Sequence, residues 1–230
     1  MSASQNTLRV AVVGAKGRMG RFACEWITGQ DSMEVVHAIG SDQDLAGVLA
    51  QGQAQVVLDL TRAGLGAQHA KVILEAGKHA VIGTSGVDPS EDAELDRLAR
   101  ERGVGGLIVP NFSLGVCLQQ DFALRAARLL RRVEIVEEHN LRKVDRPSAT
   151  ALDTADRICA DRGRDGGEIP IHSLRTEGLI SNQTVVCTGP GEVLRLVHET
   201  YGLEAFGPGI SLALRHVVGT VGVRRGLQHA

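Results

Sequence analysis

The sequence predicts an α/β protein in two parts: a doubly wound parallel sheet, then a second α+β domain with an open mixed sheet. Three observations carry this expectation. Short apolar runs alternate with amphipathic stretches up to about residue 110. A spaced glycine triplet follows the first apolar run. After residue 112 the alternation gives way to one long helical stretch and then to strand-like runs with little helix between them.

Taken in order, residues 8–13, 33–38, 56–60, 79–82 and 106–109 read as strands, and the nearly continuous apolar ones as strands buried on both faces. Residues 18–28, 66–76 and 90–101 carry helical apolar spacing between them, and Pro89-Ser90 supplies a start for the last. Strands that alternate with helices imply right-handed crossovers and a sheet covered on both sides. Residues 114–130 then read as a long helix, 133–138 as a strand and 148–161 as a helix. Strand-like runs follow at 168–175, 184–188 and 193–199, and the charged, glycine-rich stretch 161–167 reads as a solvated loop. The apolar positions Ile210, Leu212, Ala213, Leu214 and Val217 mark a helix over 208–218, expected to pack back on the first domain. The domain expectation is therefore residues 1–113 with 206–230 for dinucleotide binding, and residues 114–205 for substrate binding and oligomerisation.

Gly14-Ala15-Lys16-Gly17-Arg18-Met19-Gly20 follows a strand and opens a helix. In that context spaced glycines let the backbone turn tightly and approach a pyrophosphate, whose charge meets a helix N-terminus. This makes the first domain Rossmann-like and the expected cofactor NADPH or NADH; a tight βα turn in an unrelated doubly wound fold is the plainer alternative. At the end of the second strand, Ser41 and Asp42 stand where a carboxylate would accept from a ribose 2′-hydroxyl. Lys16 and Arg18 in the loop favour a 2′-phosphate instead, so the nucleotide preference stays open.

Residues 137–150, Glu-Glu-His-Asn-Leu-Arg-Lys-Val-Asp-Arg-Pro-Ser-Ala-Thr, concentrate the most chemistry. The imidazole of His139 can move a proton near neutral pH, and the Lys143 ammonium can hold an anion. Ser148 and Thr150 then sit where a helix could begin and offer its N-terminus to a carboxylate. Glu137 and Glu138 read as groups that orient the local chain or meet water. The remaining histidines show no ligand spacing, and no metal site is expected.

Several ordered motifs together resemble the dihydrodipicolinate reductase family over nearly the whole chain. Residues 14–21 resemble its glycine loop, and Gly83-Thr84-Ser85-Gly86 its Gly-Thr-Thr-Gly turn. Residues 110–116 (Pro-Asn-Phe-Ser-Leu-Gly-Val) resemble its Asn-Phe-Ser-x-Gly-Val segment, and residues 137–150 its Glu-x-His-His-x-x-Lys-x-Asp-x-Pro-Ser-Gly-Thr signature. Residues 171–175 and 206–215 resemble parts of its second domain and returning helix.

The resemblance implies an NAD(P)H-dependent reductase acting on a cyclic dicarboxylate, hydroxy-tetrahydrodipicolinate, in diaminopimelate and lysine biosynthesis. It implies that His139 is the general acid/base and that Lys143 assists proton transfer and holds substrate. It places Thr150 and the neighbouring backbone of Ser148 and Ala149 on the substrate's carboxylate, with Asn140 beside them; Arg175, in a family-like segment, could reach a substrate anion or equally make a structural pair. Gly83, Thr84, Ser85, Val109, Pro110, Asn111 and Phe112 fall beside the nicotinamide, with Gly14 to Met19 on the pyrophosphate. It also implies a homotetramer built through the second domain's sheets.

Two departures fall in the substrate segment. Asn140 stands where the family has a second histidine, and Ala149 where it has glycine. Asparagine donates hydrogen bonds but brings no positive charge. Alanine would be poorly tolerated at a turn that needs φ above zero or the closest backbone approach. A related reductase of another cyclic imine or unsaturated acid is therefore the first rival reading, and a dinucleotide-binding regulatory protein without turnover the second. The intact His139 and Lys143 speak against the latter.

Composition narrows the field further. A formal net charge of −2 gives no electrostatic basis for nucleic-acid or membrane-surface binding. Aromatic residues are 3% of the chain, too few for a base-stacking platform. Cys24, Cys117, Cys159 and Cys187 form no C-x-x-C pair, as expected of thiols in a reducing compartment. With no signal pattern at the start and no run of bilayer length, the expected location is the cytoplasm.

Overall fold

The computed structural model describes residues 7–163, 167–227 and 230. Residues 164–166 of the loop expected at 161–167 therefore lie outside the described residues, as do the first six of the chain. The molecule forms two compact units, one of residues 1–112 with 206–230 and one of residues 113–205.

The first unit carries a six-stranded, all-parallel sheet. Its strands are β1 (Leu8–Val13), β2 (Met33–Ile39), β3 (Val56–Asp59), β4 (His79–Ile82), β5 (Gly105–Ile108) and β10 (Gly222–Arg225), in the order β10-β5-β4-β3-β1-β2. The order reverses direction at β1, the topological switch point of a doubly wound sheet. Val10, Ala11, Val12, Val56, Val57 and Leu58 are fully buried, so the central strands are covered on both faces, as their unbroken apolar runs require. The crossovers α1 (Arg18–Thr28), α2 (Leu45–Gln51), α3 (Gly66–Glu75) and α4 (Asp92–Arg102) cover it with α7 (Gly207–Val218). The C-terminal helix packs on β3, β4, β5 and α1, as its apolar stripe predicts. Gly207 makes that packing possible, because a Cβ there would lie 2.4 Å from the Trp26 ring. The Trp26 indole N–H donates to Ser211 Oγ at 2.9 Å.

Two elements of this unit escape the apolar pattern. Helix α2 is only seven residues long, contains Gly47 and starts on the Asp44 cap rather than on an amphipathic stripe. Strand β10 reads Gly-Val-Arg-Arg and lies at the sheet edge, where Asp92 binds the Arg225 guanidinium and Asp96 accepts from Val223 N–H.

The second unit comprises α5 (Leu114–Leu129), β6 (Arg132–Asn140), α6 (Ala149–Arg162), β7 (Ile171–Thr176), β8 (Ser181–Gly189) and β9 (Glu192–His198). Its sheet runs β7-β6-β8-β9, with β6 and β7 parallel and the other pairs antiparallel, a mixed sheet as expected. Helices α5 and α6 cover one face through Ala123, Ala127, Val133, Ile135, Ala151, Ile158, Val185 and Cys187. Strand β8 starts three residues earlier than its apolar run. Ser181, Asn182 and Gln183 look unlike strand residues, yet Gln183 and Gln119 exchange buried amide hydrogen bonds and Asn182 accepts from Thr200 N–H. Among the described residues no helix is long and apolar enough to cross a membrane.

Candidate active site

In the first unit, the loop after β1 is built by close backbone contact. Gly14 has φ of +80°, and a Cβ on it would lie 2.7 Å from the Leu60 carbonyl oxygen. On Gly20 a Cβ would lie 2.1 Å from the Gly14 carbonyl oxygen, so the loop and the first turn of α1 touch backbone to backbone. Gly17 is the N-cap of α1 and brings no side-chain cap. The first-turn N–H groups and the positive end of the helix dipole are thus presented by residues without bulk. This cradle, which side chains would fill, fits a pyrophosphate.

Ala15 is buried and donates its N–H to Ile39 O, whereas Lys16 and Arg18 are exposed and Met19 half-buried. Lys16 Nζ lies 2.7 Å from Asp42 Oδ1, so the two charges that pulled the nucleotide preference in opposite directions pair with each other. That hydrogen bond holds the Asp42 carboxyl below the usual carboxylate range. Ser41 beside it is exposed.

The other expected cofactor residues gather at the same carboxyl edge of the sheet. Gly83 follows β4, and its missing side chain leaves room for the Phe112 ring, which a Cβ would approach to 2.4 Å. Thr84 is buried and its hydroxyl accepts from Thr61 N–H, while Ser85 is exposed. Val109 is buried after β5, with Pro110 and Asn111 half-buried. A buried polar cluster not anticipated as a unit lies beside them. Asp59 Oδ2 is 3.3 Å from His69 Nδ1, and Thr61 Oγ1 is 3.2 Å from Thr84 Oγ1. Asp59 ends β3, and His69 sits ten residues on in α3.

In the second unit, alternation along β6 places Val133, Ile135, Glu137 and His139 on its buried face. The apolar core thus turns polar at the strand's carboxyl end. His139 Nδ1 is hydrogen-bonded to Glu137 Oε2. Arg175 donates Nη1 to Glu137 Oε2 at 3.0 Å and Nη2 to Oε1 at 2.8 Å. Burial alone would raise the Glu137 carboxyl, yet Arg175, Ser173 and His139 hold it below the usual carboxylate range. Burial pushes the His139 imidazole below its ordinary value; Glu137 opposes that fall, and Lys143 and Arg175 add to it.

Of the two parts open to Arg175, a substrate anion or a structural pair, the geometry shows the pair: its guanidinium is 1% exposed and bonded within the protein. Besides Glu137 it donates to the carbonyl oxygens of Lys143, Leu174 and Asp145. Sequence spacing does not name the partner, because the pair is formed across the parallel β6–β7 register, where His139 faces Arg175.

After β6 the chain turns tightly. Asn140 Oδ1 accepts from Arg142 N–H and Asn140 O from Lys143 N–H. Lys143 Nζ lies 2.9 and 2.8 Å from the two Asp145 carboxylate oxygens. The Arg146–Pro147 bond is cis, and Ser148 then caps α6 by accepting from Ala151 N–H at 3.2 Å. Ala149 and Thr150 form the first turn of α6. No residue other than glycine has positive φ among the described residues, so the backbone at Ala149 accepts a side chain without strain. The structure thus brings His139, Asn140, Lys143, Ser148, Ala149 and Thr150 into one continuous strand–turn–helix segment.

A glycine-cradled Rossmann-type sheet and a buried histidine at the end of a mixed sheet together define a nucleotide-dependent oxidoreductase class. Comparison with known proteins narrows it. Residues 8–112 match the family description "Dihydrodipicolinate reductase, N-terminus" and residues 115–228 "Dihydrodipicolinate reductase, C-terminus". The 4-hydroxy-tetrahydrodipicolinate reductase of Legionella pneumophila (strain Corby) is 38% identical over 96% of this chain and 98% of its own. That of Moorella thermoacetica is 35% identical over 97% of each chain. Among solved structures, the dipicolinate-bound dihydrodipicolinate reductase of Paenisporosarcina sp. TG-14 has a TM-score of 0.81 and 28% identity, covering 96% of this chain and 98% of the other. The chain belongs to the dihydrodipicolinate reductase family.

Proposed function

We propose that the protein reduces 4-hydroxy-tetrahydrodipicolinate to tetrahydrodipicolinate, with loss of water, using NADPH or NADH, in diaminopimelate and lysine biosynthesis. The observation that carries this reading is the segment 139–150. It sets a buried imidazole, an ammonium and a capped helix N-terminus in one strand–turn–helix, in a chain whose first unit has the glycine cradle. The dipicolinate-bound relative supports a cyclic dicarboxylate as the ligand class.

The first unit holds the nucleotide: Gly14 to Met19 at the pyrophosphate, Ser41 and Asp42 at the adenosine ribose, and Gly83 to Ser85 with Val109 to Phe112 beside the nicotinamide. When bound, that ring supplies the hydride. In the second unit, the Lys143 ammonium and the first turn of α6, formed by Ser148, Ala149 and Thr150, hold the substrate carboxylates. Asn140 adds an amide donor but no charge. His139 delivers the proton that the reduced ring needs, from an imidazole kept out of bulk water. Ala149 carries ordinary helical backbone, so its departure from the family glycine brings no backbone strain.

We further propose a homotetramer in the cytoplasm. The sheet face turned away from α5 and α6 exposes Leu174 (46%), Val193 (51%) and Val197 (57%). An apolar sheet face of that kind is usually covered by another copy. The pathway assignment is tested by expressing the gene in a diaminopimelate auxotroph. Growth without the supplement is the expected result, and failure by a well-expressed protein would refute it.

A further inference from the structure

We infer that Glu137, pinned by Arg175, is the positioning residue for His139: it accepts the hydrogen bond from Nδ1–H, so that Nε2 is the atom that carries the proton to substrate. The inference rests on the reductase reading above and names the atom and the device behind its acid. Glu137 and His139 are two residues apart on one face of β6, so strand geometry alone sets them side by side. An ionised carboxylate has no proton to donate, so its bond to Nδ1 requires Nδ1–H. Nε2 is then the free ring nitrogen of the neutral imidazole.

Arg175 is what makes the arrangement hold. Glu137 is fully buried, and a carboxylate so placed would otherwise take up a proton and lose its preference for Nδ1–H. The two-pronged guanidinium keeps it ionised and fixes its plane. Both carboxylate oxygens are spent on Arg175 and His139, which leaves Glu137 no part as the proton carrier. Through the Lys143 and Asp145 carbonyl oxygens, the same guanidinium also fixes the backbone that carries Lys143. One buried arginine thereby orients both the acid and its neighbouring cation.

The proton balance is simple. Neutral His139 holds Nδ1–H toward Glu137 and takes a proton from water on Nε2. The resulting imidazolium sits against a negative charge. After hydride reaches the substrate, Nε2–H gives its proton to the electron-rich carbon, and the ring returns to the Nδ1–H form. Glu137 stays ionised throughout. The charges around the ring are Glu137 on β6, Arg175 on β7, and Lys143 with its partner Asp145 in the turn. Strand β8 offers only the Ser181 hydroxyl opposite His139.

Two measurements decide it. In the wild-type protein labelled with ¹⁵N-histidine, the His139 signal, assigned by its loss in His139→Gln, should show the Nδ1–H tautomer above its titration. An Nε2–H tautomer would overturn the inference, and this reading needs neither turnover nor a second folded variant. Glu137→Gln should lower kcat by about 10²-fold or more, as loss of an orienting carboxylate does. It should also move the alkaline limb of kcat/KM to lower pH, because His139 loses the charge that favours its imidazolium, with the nucleotide KM unchanged. The charge-keeping Glu137→Asp should restore part of the limb position. A limb left in place in a folded Glu137→Gln, with only thermal stability reduced, would mean a purely structural pair. Absence of turnover in the wild type would instead count against the reductase reading, while the tautomer would still report on Glu137.

Discussion

Lys16 and Asp42 form an ion pair of 2.7 Å across the gap between the glycine loop and the end of β2. The pair has a consequence for nucleotide choice. Asp42 is the group that would accept from a ribose 2′-hydroxyl, and Lys16 the group that would meet a 2′-phosphate. Each restrains the other, so the wild type should use both nucleotides within about an order of magnitude. Asp42→Asn frees the ammonium and should lower the KM for NADPH by roughly twofold to fivefold, the worth of one exposed charge pair. The KM for NADH should stay level or rise. Steady-state kinetics with both nucleotides check this, and a fall in both KM values alike would contradict it.

The glycine loop offers a paired test of binding against folding. A Cβ at Gly17 meets nothing closer than the Gly14 carbonyl oxygen at 3.3 Å, whereas one at Gly20 would clash at 2.1 Å. Gly17→Asp should therefore fold with a melting temperature near that of the wild type. It should nevertheless lose nucleotide binding in calorimetry, because its carboxylate would stand against the pyrophosphate. Gly20→Ala should lose both stability and binding.

Stability should fall in mild acid. His79, His139 and His198 each titrate below the ordinary histidine value of 6.5, in every case chiefly because burial disfavours the charged ring. The unfolded chain then binds more protons than the native one between those lowered values and 6.5, so stability is complete above that window and is lost as pH falls through it. The melting temperature should drop between about pH 7.5 and about pH 5.5, before the carboxylates begin to titrate. A flat profile over that interval would contradict the burial of these rings.

How much of this was legible in the chain depends on whether neighbours in sequence or neighbours in space set the feature. The parallel sheet, the glycine loop and the 137–150 segment follow from local pattern: apolar runs, a spaced glycine triplet, and a strand–turn–helix whose groups are sequence neighbours. Glu137 as a group that orients the chain or meets water, and Arg175 as an anion contact or a structural pair, do not name each other as partners, because their bond joins residues 38 apart through parallel strand pairing. Asp59 and His69 lie on different elements, the end of β3 and helix α3, and no common sequence period joins them. The polar start of β8 and the arginine-bearing β10 were missed because buried amide pairs and edge pairing replaced the apolar pattern that marks other strands.

The exposed sheet face makes a prediction about assembly. Leu174, Val193 and Val197 point away from the helices that bury the other face. Light scattering at micromolar concentration should show a tetramer, and Val197→Glu together with Val193→Lys should yield smaller species with the second unit still folded. A stable wild-type monomer would refute the proposed assembly.

The chemistry itself is decided by following NADPH or NADH oxidation with enzymatically generated 4-hydroxy-tetrahydrodipicolinate, beside a panel of other cyclic imines. The wild type should oxidise nucleotide only when substrate is supplied and should prefer this substrate to the panel. His139→Ala and Lys143→Ala should each lower kcat by about 10²-fold or more, the scale of a lost general acid. Nucleotide affinity should hold, because the glycine loop lies in the other unit. No oxidation with either nucleotide, or a His139→Ala protein of near wild-type activity, would contradict the proposed reduction and its proton donor.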